Sequence, residues 1–221
     1  MNRKQFAILF AVLAWLLLTG AQCAFYASSG DSNFNQDKDE EEQDSNLVVV
    51  IRSGRLVDAP VEGVAYRSGG VQGITGTDGG FRYEQGQMVR FFIGDIALGD
   101  AVAGKAVLTP LDLVPGGTLA TPAVINIARL LQSLDAVPGD ARITIPAAVR
   151  DSARRARAGV GASIESLDYT DNIRFINAAA QLVASLTADY PFTGVLVDAD
   201  SARRHLEESL AAIGVSAATN D

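Results

Sequence analysis

The pattern of apolar and polar positions changes near the middle of this chain of 221 residues. Residues 47–115 contain short β-branched or alternating stretches at 47–51, 63–67 and 88–93, separated by Gly-rich turns, and such stretches are typical of β-strands. The run at 47–51 includes three consecutive valines and predicts a buried strand. The Asp78-Gly79 pair predicts a hairpin turn. Strands at intervals of about ten residues indicate a small antiparallel β-sandwich or barrel.

Residues 116–221 show apolar side chains at the three-to-four-residue spacing that is typical of helices. Thr121 and Pro122 predict the start of the first helix, because Thr favours the cap position and Pro the first helical position. Its predicted inward face is Val124, Ile127, Leu131 and Leu134, and its predicted outward face is Asn126, Arg129 and Ser133. Asp171 predicts the cap of a third helix. The inward face predicted for that helix is Ile173, Ile176, Ala180, Val183 and Leu186.

These patterns together predict an α+β fold. A small antiparallel β-sandwich at 47–115 is followed by a helical subdomain of about four helices at 116–221. The stretch 108–120, which contains Pro and Gly, forms the predicted seam. The two parts are either two small domains or one fused α+β unit.

The amino terminus has the order of a secretory signal peptide over residues 1–22. Arg3 and Lys4 precede an apolar run at 6–18, and small and polar residues follow it. A membrane-spanning helix needs about 20 apolar residues, so the run predicts a signal peptide. The alternative is an N-terminal membrane anchor that is kept.

Cys23 is the single cysteine, and residues 18–23 read Leu-Thr-Gly-Ala-Gln-Cys. This segment resembles the lipobox of bacterial lipoproteins, in which the cysteine carries diacylglycerol and becomes the mature amino terminus. The resemblance implies lipidation of Cys23. Ala24 occupies the place where an inner-membrane retention signal has Asp, which favours the outer membrane. The usual places of leucine and of a small residue hold Gly20 and Gln22, so the alternative is ordinary cleavage after residue 23, giving a periplasmic or secreted protein.

Residues 23–46 form a predicted acidic and disordered tether. Seven residues between 24 and 46 are acidic, and Lys38 is the one basic residue there. The segment has too few apolar residues to order itself, and like charges extend it. The alternative for the acidic run 37–41 is a calcium site, but the mid-loop glycine and terminal glutamate of an EF-hand loop are missing.

Composition narrows the classes of function. A formal net charge of −8 argues against a nucleic-acid binder, which needs a basic stripe. One Cys and one His exclude a disulfide framework and Cys- or His-rich metal sites. No metal site and no cofactor are expected.

Candidate catalytic chemistry is sparse. His205 lies in a charged helical run and is expected to be solvated rather than to act as a general base. Asp95, Asp100 and Asp112 are the residue type of a glycosidase pair, but acids near strand ends usually form turns. No catalytic residue is predicted, and the protein is not expected to be an enzyme.

One basic patch interrupts the acidic chain in the predicted second helix. Two interpretations compete for it: contact with lipid headgroups or an acidic partner, and a simple solvated helix face. The patch is Arg150, Arg154, Arg155 and Arg157.

A family resemblance enters at residues 77–83, which read TDGGFRY. This stretch, with Gly86 and Val89, resembles the signature of carboxypeptidase-regulatory-like and CnaB-type modules, the prealbumin-like β-sandwiches of bacterial surface proteins. Residues 63–66 and 92–99 also resemble a hairpin found in many proteobacterial lipoproteins. The resemblance implies a spacer or binding unit.

Two functions follow from these observations. The first is a non-enzymatic, membrane-tethered envelope lipoprotein that acts as a binding or interaction module for a protein or glycan. The second is a periplasmic carrier or accessory for a hydrophobic substrate, working with an outer-membrane transporter. In the carrier, the ligand would lie between the sheet and the apolar faces of the first and third helices.

Overall fold

The computed structural model describes residues 48–159, 167–190 and 194–214, without the side chains of 156–159. The predicted signal peptide, the predicted tether and Cys23 lie outside the described residues. All of the described residues belong to one compact unit. The fold is mixed α+β, with nine strands and four helices in the described part of the chain. Within these residues no helix is both long enough and apolar enough to cross a membrane.

The strands occupy the amino-terminal half, with one exception that falls between the first two helices. They are β1 Ile51–Leu56, β2 Val61–Glu62, β3 Ala65–Ser68, β4 Val71–Ile74, β5 Gly80–Glu84, β6 Met88–Ile93, β7 Ile96–Ala103, β8 Val107–Leu108 and β9 Ile143–Thr144. The helices are α1 Pro122–Ser133, α2 Ala147–Gly159, α3 Asn172–Leu186 and α4 Ala199–Ala212.

Three sheets are formed. One has the order β5-β1-β8, with β5 antiparallel and β8 parallel to β1. A second has the order β4-β3-β6-β7 and is antiparallel throughout. The third is a short parallel pair of β2 and β9. Phe81 of the first sheet meets Tyr66 and Phe91 of the second, with ring centroids 5.9 and 5.2 Å apart.

The prediction of a hairpin at Asp78-Gly79 is wrong. The turn there joins β4 to β5, and these strands belong to different sheets. Gly79 has a φ of 76°, a conformation that glycine adopts without strain, and its carbonyl accepts a hydrogen bond from Leu56 N at 2.9 Å. The chain therefore crosses from one sheet to the other at this turn, and β5 pairs with β1.

The prediction that the valine run is a buried strand is also wrong. Val48, Val49 and Val50 are 80%, 60% and 41% exposed, and only Ile51 of this run belongs to β1. β8 pairs with β1 only at Arg55 and Leu56. The start of β1 therefore extends past its neighbour on that side, and no second layer among the described residues buries it.

One hydrophobic core runs through the strands and the first three helices. It contains fully buried side chains from both halves of the chain, including Leu56, Phe91, Ile127, Leu130 and Phe175. Each such side chain contributes about 1.5–3 kcal/mol on burial. A second cluster joins α1 to α4 through Val124, Leu206 and Leu210.

Helix α1 is buried on nearly every side, which contradicts its predicted polar outward face. Asn126, Arg129 and Ser133 are at most 8% exposed. They are buried because they bind loop backbone: Asn126 Nδ2 donates to Tyr169 O at 2.9 Å, and Arg129 Nε donates to Val197 O at 2.7 Å. Polar side chains on α1 thus fix the loops that precede α3 and α4.

Helix α3 begins where predicted, because the Asp171 side chain accepts hydrogen bonds from the amides of Ile173 and Arg174. Its inward face is different from the prediction. Ile173 and Ile176 are 74% and 42% exposed, and Ala180 is exposed as well. The buried residues are Phe175, Ala179, Leu182, Val183 and Leu186. Phe175 lies at the amino-terminal end of this face, against the ring of Tyr169 at 5.6 Å between centroids.

Candidate functional site

The strand region carries an open groove of about 600 Å³ that crosses β1 and β5 and reaches the end of β4. We call it the arginine groove. Its lining includes Ser53, Arg55, Ile74, Asp78, Phe81 and Arg82, together with Tyr66 and several glycines.

The antiparallel register of β1 and β5 places the two arginines of the groove. Ser53 lies opposite Arg82, and Arg55 lies opposite Gly80. Side chains two residues apart on a strand share a face, so the arginines occupy diagonal corners of one square of four residues. The other two corners hold a small hydroxyl side chain and a glycine. The space between the arginines is therefore left open.

The floor of the groove is made possible by a residue without a side chain. A Cβ on Gly54 would collide with the carbonyl oxygen of Lys105 and with the ring of Phe81. Because Gly54 has no side chain, the ring of Phe81 packs beneath β1, and Phe81 is only 2% exposed.

The two arginines of the groove carry unpaired charges. Arg55 and Arg82 are exposed, and their side chains have no ion pair or hydrogen-bond partner among the described residues. By contrast, Lys105 contacts Asp112 at 2.5 Å, and Arg142 contacts both Glu62 and Asp140 within 4 Å. Arg55 and Arg82 are thus available to a ligand.

Asp78 is the acidic residue in the groove lining. Its Oδ1 accepts a hydrogen bond from the amide of Gly80 at 2.9 Å. The carboxylate therefore stabilises the turn that precedes β5, a common role for Asp in turns, and forms no ion pair with either groove arginine.

A second polar cluster lies where the tight turn after β1 meets α1 and α4. The Asp58 carboxylate is fully buried. Its Oδ2 accepts a hydrogen bond from Gln132 Nε2 at 3.0 Å, and its Oδ1 has no hydrogen-bond partner. His205 Nε2 lies 3.8 Å from that Oδ1 and 3.4 Å from the Asp58 backbone oxygen. Burial raises the pKa of Asp58 to about 6, and the hydrogen bond from Gln132 and the charge of His205 oppose the rise.

Ser209 completes this cluster from α4, one turn after His205. Its Oγ accepts a hydrogen bond from the amide of Ala59 at 2.9 Å. Ala59 has a φ of 55°, a left-handed conformation that is strained for any residue with a Cβ. Within the described residues no hydrogen bond joins Ser209 to His205, so the cluster lacks the serine–histidine contact of a hydrolase triad.

The residues that the sequence singled out lie in different parts of the chain's structure and do not form one site among the described residues. Asp112 binds Lys105 and accepts from the Thr109 amide at 2.8 Å, so it stabilises a loop. His205 was expected to be solvated, but its side chain is only 40% exposed and contacts Asp58. Cys23, the predicted lipidation site, lies outside the described residues.

The predicted basic patch on α2 is largely engaged in local contacts. Arg150 donates to the carbonyl oxygens of Gly63 and Ile145 at 2.9 and 2.8 Å. Arg154 pairs with Asp151, and Arg155 donates to Ser152. The side chain of Arg157 lies outside the described residues. Of the three patch arginines whose side chains the structure describes, Arg154 has a carboxylate partner, whereas Arg150 and Arg155 donate to neutral oxygens.

Sequence reasoning missed both the groove and Asp58. The groove depends on the pairing of β1 with β5, which no local sequence pattern specifies. Asp58 had a local signal, because a single acid stands among Leu56, Val57 and Pro60. A carboxylate in an apolar stretch between two strands is a candidate for burial.

Comparisons with known proteins found no matching family model, no matching curated protein and no matching solved structure. Within the part of the chain that the structure describes, no group of three or more His, Cys, Asp or Glu side chains is placed to hold a metal ion.

Proposed function

We propose that this chain is a non-enzymatic binding module of a bacterial cell envelope, tethered to the membrane through a lipid on Cys23. The observation that carries the binding role is the arginine groove. It combines an open surface with two exposed arginines that lack partners among the described residues.

The proposed architecture of the strand region is a small β-sandwich of the carboxypeptidase-regulatory-like or CnaB type. The contacts of Phe81 with Tyr66 and Phe91, which come from the other large sheet, support two facing layers. The TDGGFRY stretch lies at the crossing from one sheet to the other. Such modules act as spacers or binding units, which agrees with the proposed role.

The proposed membrane attachment depends on the amino-terminal sequence. A lipid on Cys23 and an acidic tether at 23–46 would hold the binding module away from the membrane surface. The residue after the cysteine is Ala24, which favours the outer membrane as the final location.

The carrier function has less support from the described residues. A carrier needs an enclosed apolar cavity, whereas the groove is open and includes Arg55, Asp78 and Arg82 in its lining. The side chains of α1 that were assigned to ligand contact are packed in the core.

Intact mass and membrane fractionation test the tether. We expect the wild-type protein to carry a diacylglyceryl adduct and to sediment with membranes, and the Cys23→Ser variant to lack both properties. Ser28→Ala, a change inside the tether that keeps the cysteine, is the matched control. A wild-type protein without the adduct would overturn the lipid anchor. Crosslinking at the membrane, with and without Arg55→Gln and Arg82→Gln, then tests whether partners contact the groove.

A further inference from the structure

We propose that the arginine groove binds a phosphate group, presented either by a lipid headgroup or by a free phosphate. The inference rests on the proposed function, because it names the ligand class of that binding surface. It does not depend on the lipid anchor.

The first argument for a phosphate site is the spacing of the two arginines. Arg55 and Arg82 project from the same face of adjacent strands at diagonal positions, where the separation is about 7–8 Å. Two long guanidinium side chains at this separation can both reach an anion that lies between them. Ser53 occupies a third corner of the square and adds a hydroxyl donor.

The second argument is that the charges of the two guanidinium groups are unpaired. Both guanidinium groups lack carboxylate partners among the described residues, in a protein with a net charge of −8. The nearby acids are engaged elsewhere: Asp78 accepts from the Gly80 amide, and Glu84 Oε1 accepts from the Gly70 amide at 2.5 Å. The groove thus holds two unpaired guanidinium groups against the one carboxylate of Asp78, which leaves a net positive charge for an anion.

The third argument is the number of oxygen atoms that the anion offers to two guanidinium groups. A guanidinium forms paired hydrogen bonds with phosphate or carboxylate oxygens. A carboxylate has two oxygens, whereas a phosphate has at least one more to share between two guanidinium groups that approach from different sides. Two arginines at diagonal corners therefore favour a phosphate over a single carboxylate.

An exposed apolar side chain in the groove lining accommodates the rest of the ligand. It is Ile74, which is 46% exposed. A phosphate that carries an organic group can place that group here.

Calorimetric titration tests the proposal on the full-length chain in a nonionic detergent. The probes are inorganic phosphate and dihexanoyl-phosphatidylglycerol below its micelle concentration. We expect saturable binding at low salt, and a loss of affinity of about tenfold in Arg55→Gln and in Arg82→Gln, as for a lost hydrogen bond to a charged group. Phosphatidylglycerol binding more tightly than phosphate identifies a lipid headgroup as the source, and equal affinities identify free phosphate.

The chain provides a matched control in Arg67 and Arg90. These arginines are also exposed and lack ion pairs among the described residues, and they lie opposite each other in the other large sheet. They differ from the groove pair in that neither lines the groove and the Arg67 guanidinium lies over the Phe92 ring, 5.3 Å from its centroid. Arg67→Gln and Arg90→Gln change the net charge equally and should leave affinity unchanged. Two results would overturn the phosphate site. One is an equal loss of affinity in these control variants. The other is that neither probe binds at 10 mM, which is roughly 40 times the protein concentration.

The binding experiment and the tether experiment can succeed or fail independently of each other. Binding that is lost in Arg55→Gln while Cys23 carries no lipid supports the groove and rejects the anchor. A lipidated protein that binds neither probe supports the anchor and rejects the phosphate site. Circular dichroism of each variant checks that the fold is kept.

Discussion

The Nε2 atom of His205 lies 3.8 Å from Oδ1 of Asp58, and Asp58 is completely buried. The histidine is on α4 and the aspartate is on the turn between β1 and β2, 147 residues away in the sequence. This contact ties the last described helix to the start of the strand region. Because it involves a buried carboxylate, the stability of the fold depends on pH.

The first prediction concerns that pH dependence. Burial raises the folded-state pKa of Asp58 from 3.8 to about 6. A raised carboxyl pKa means that the folded state binds the proton more tightly, so stability from this group is greatest below about pH 4 and is lost as pH rises through about 6. The pKa of about 6 already includes the opposing effect of His205, and the loss is on the order of a few kcal/mol. We expect Asp58→Asn to be more stable than wild type at pH 8, by urea denaturation.

The control for this prediction is Asp100→Asn, which changes an exposed carboxylate of β7. It should leave the shape of the stability profile between pH 4 and pH 8 unchanged. An Asp58→Asn variant that is less stable than wild type at pH 8 would show that the ion pair with His205 outweighs the burial of the charge.

The second prediction concerns Ala59, whose amide is held by Ser209. A residue with a Cβ at a φ of 55° costs about 1 kcal/mol relative to glycine. We expect Ala59→Gly to raise the free energy of unfolding by up to about that amount. Ala65→Gly, in a strand with ordinary backbone, should lower it. Equal destabilisation by both changes would contradict the strain at residue 59.

The third prediction concerns the core that strands and helices share. Phe91 is fully buried in it, and Phe91→Ala should cost about 3–5 kcal/mol. Because one core spans both halves, unfolding followed by far-UV circular dichroism and by tyrosine fluorescence should give a single coincident transition in urea. Two separated transitions would instead indicate independent strand and helix domains.

The fourth prediction compares two valines. Val49 is 60% exposed and Val61 is fully buried. Val49→Thr should change the free energy of unfolding by less than about 0.5 kcal/mol, whereas Val61→Thr should cost at least about 1 kcal/mol, since it buries a hydroxyl. A large loss of stability in Val49→Thr would mean that the run is covered.

Local sequence signals predicted the elements whose causes are local. The strand at Met88–Ile93, the proline at the start of α1 and the cap at Asp171 each follow from neighbouring residues. The coarse α+β class followed from them.

Features that depend on long-range pairing could not be predicted in the same way. The Asp78-Gly79 turn has the residues of a hairpin turn, but the partner of β5 is decided by packing with β1. The inward face of α3 was misplaced because Ile173 and Phe175 are both apolar, and periodicity alone does not choose between them. The groove and the Asp58 cluster join residues from distant strands and helices, so neither left a pattern within one segment.

The parallel pair of Val61–Glu62 with Ile143–Thr144 has a consequence for the order of synthesis. A ribosome makes the chain amino terminus first, so β2 is completed some 80 residues before its partner exists. Until then Val61, which is fully buried in the finished protein, has no neighbour on that side. A nascent chain that stops before residue 143 therefore carries β1 to β8 without the partner of β2, and it is exposed to chaperones and proteases. Resistance to them also requires α3, because Phe175, Leu182 and Val183 of that helix belong to the same core.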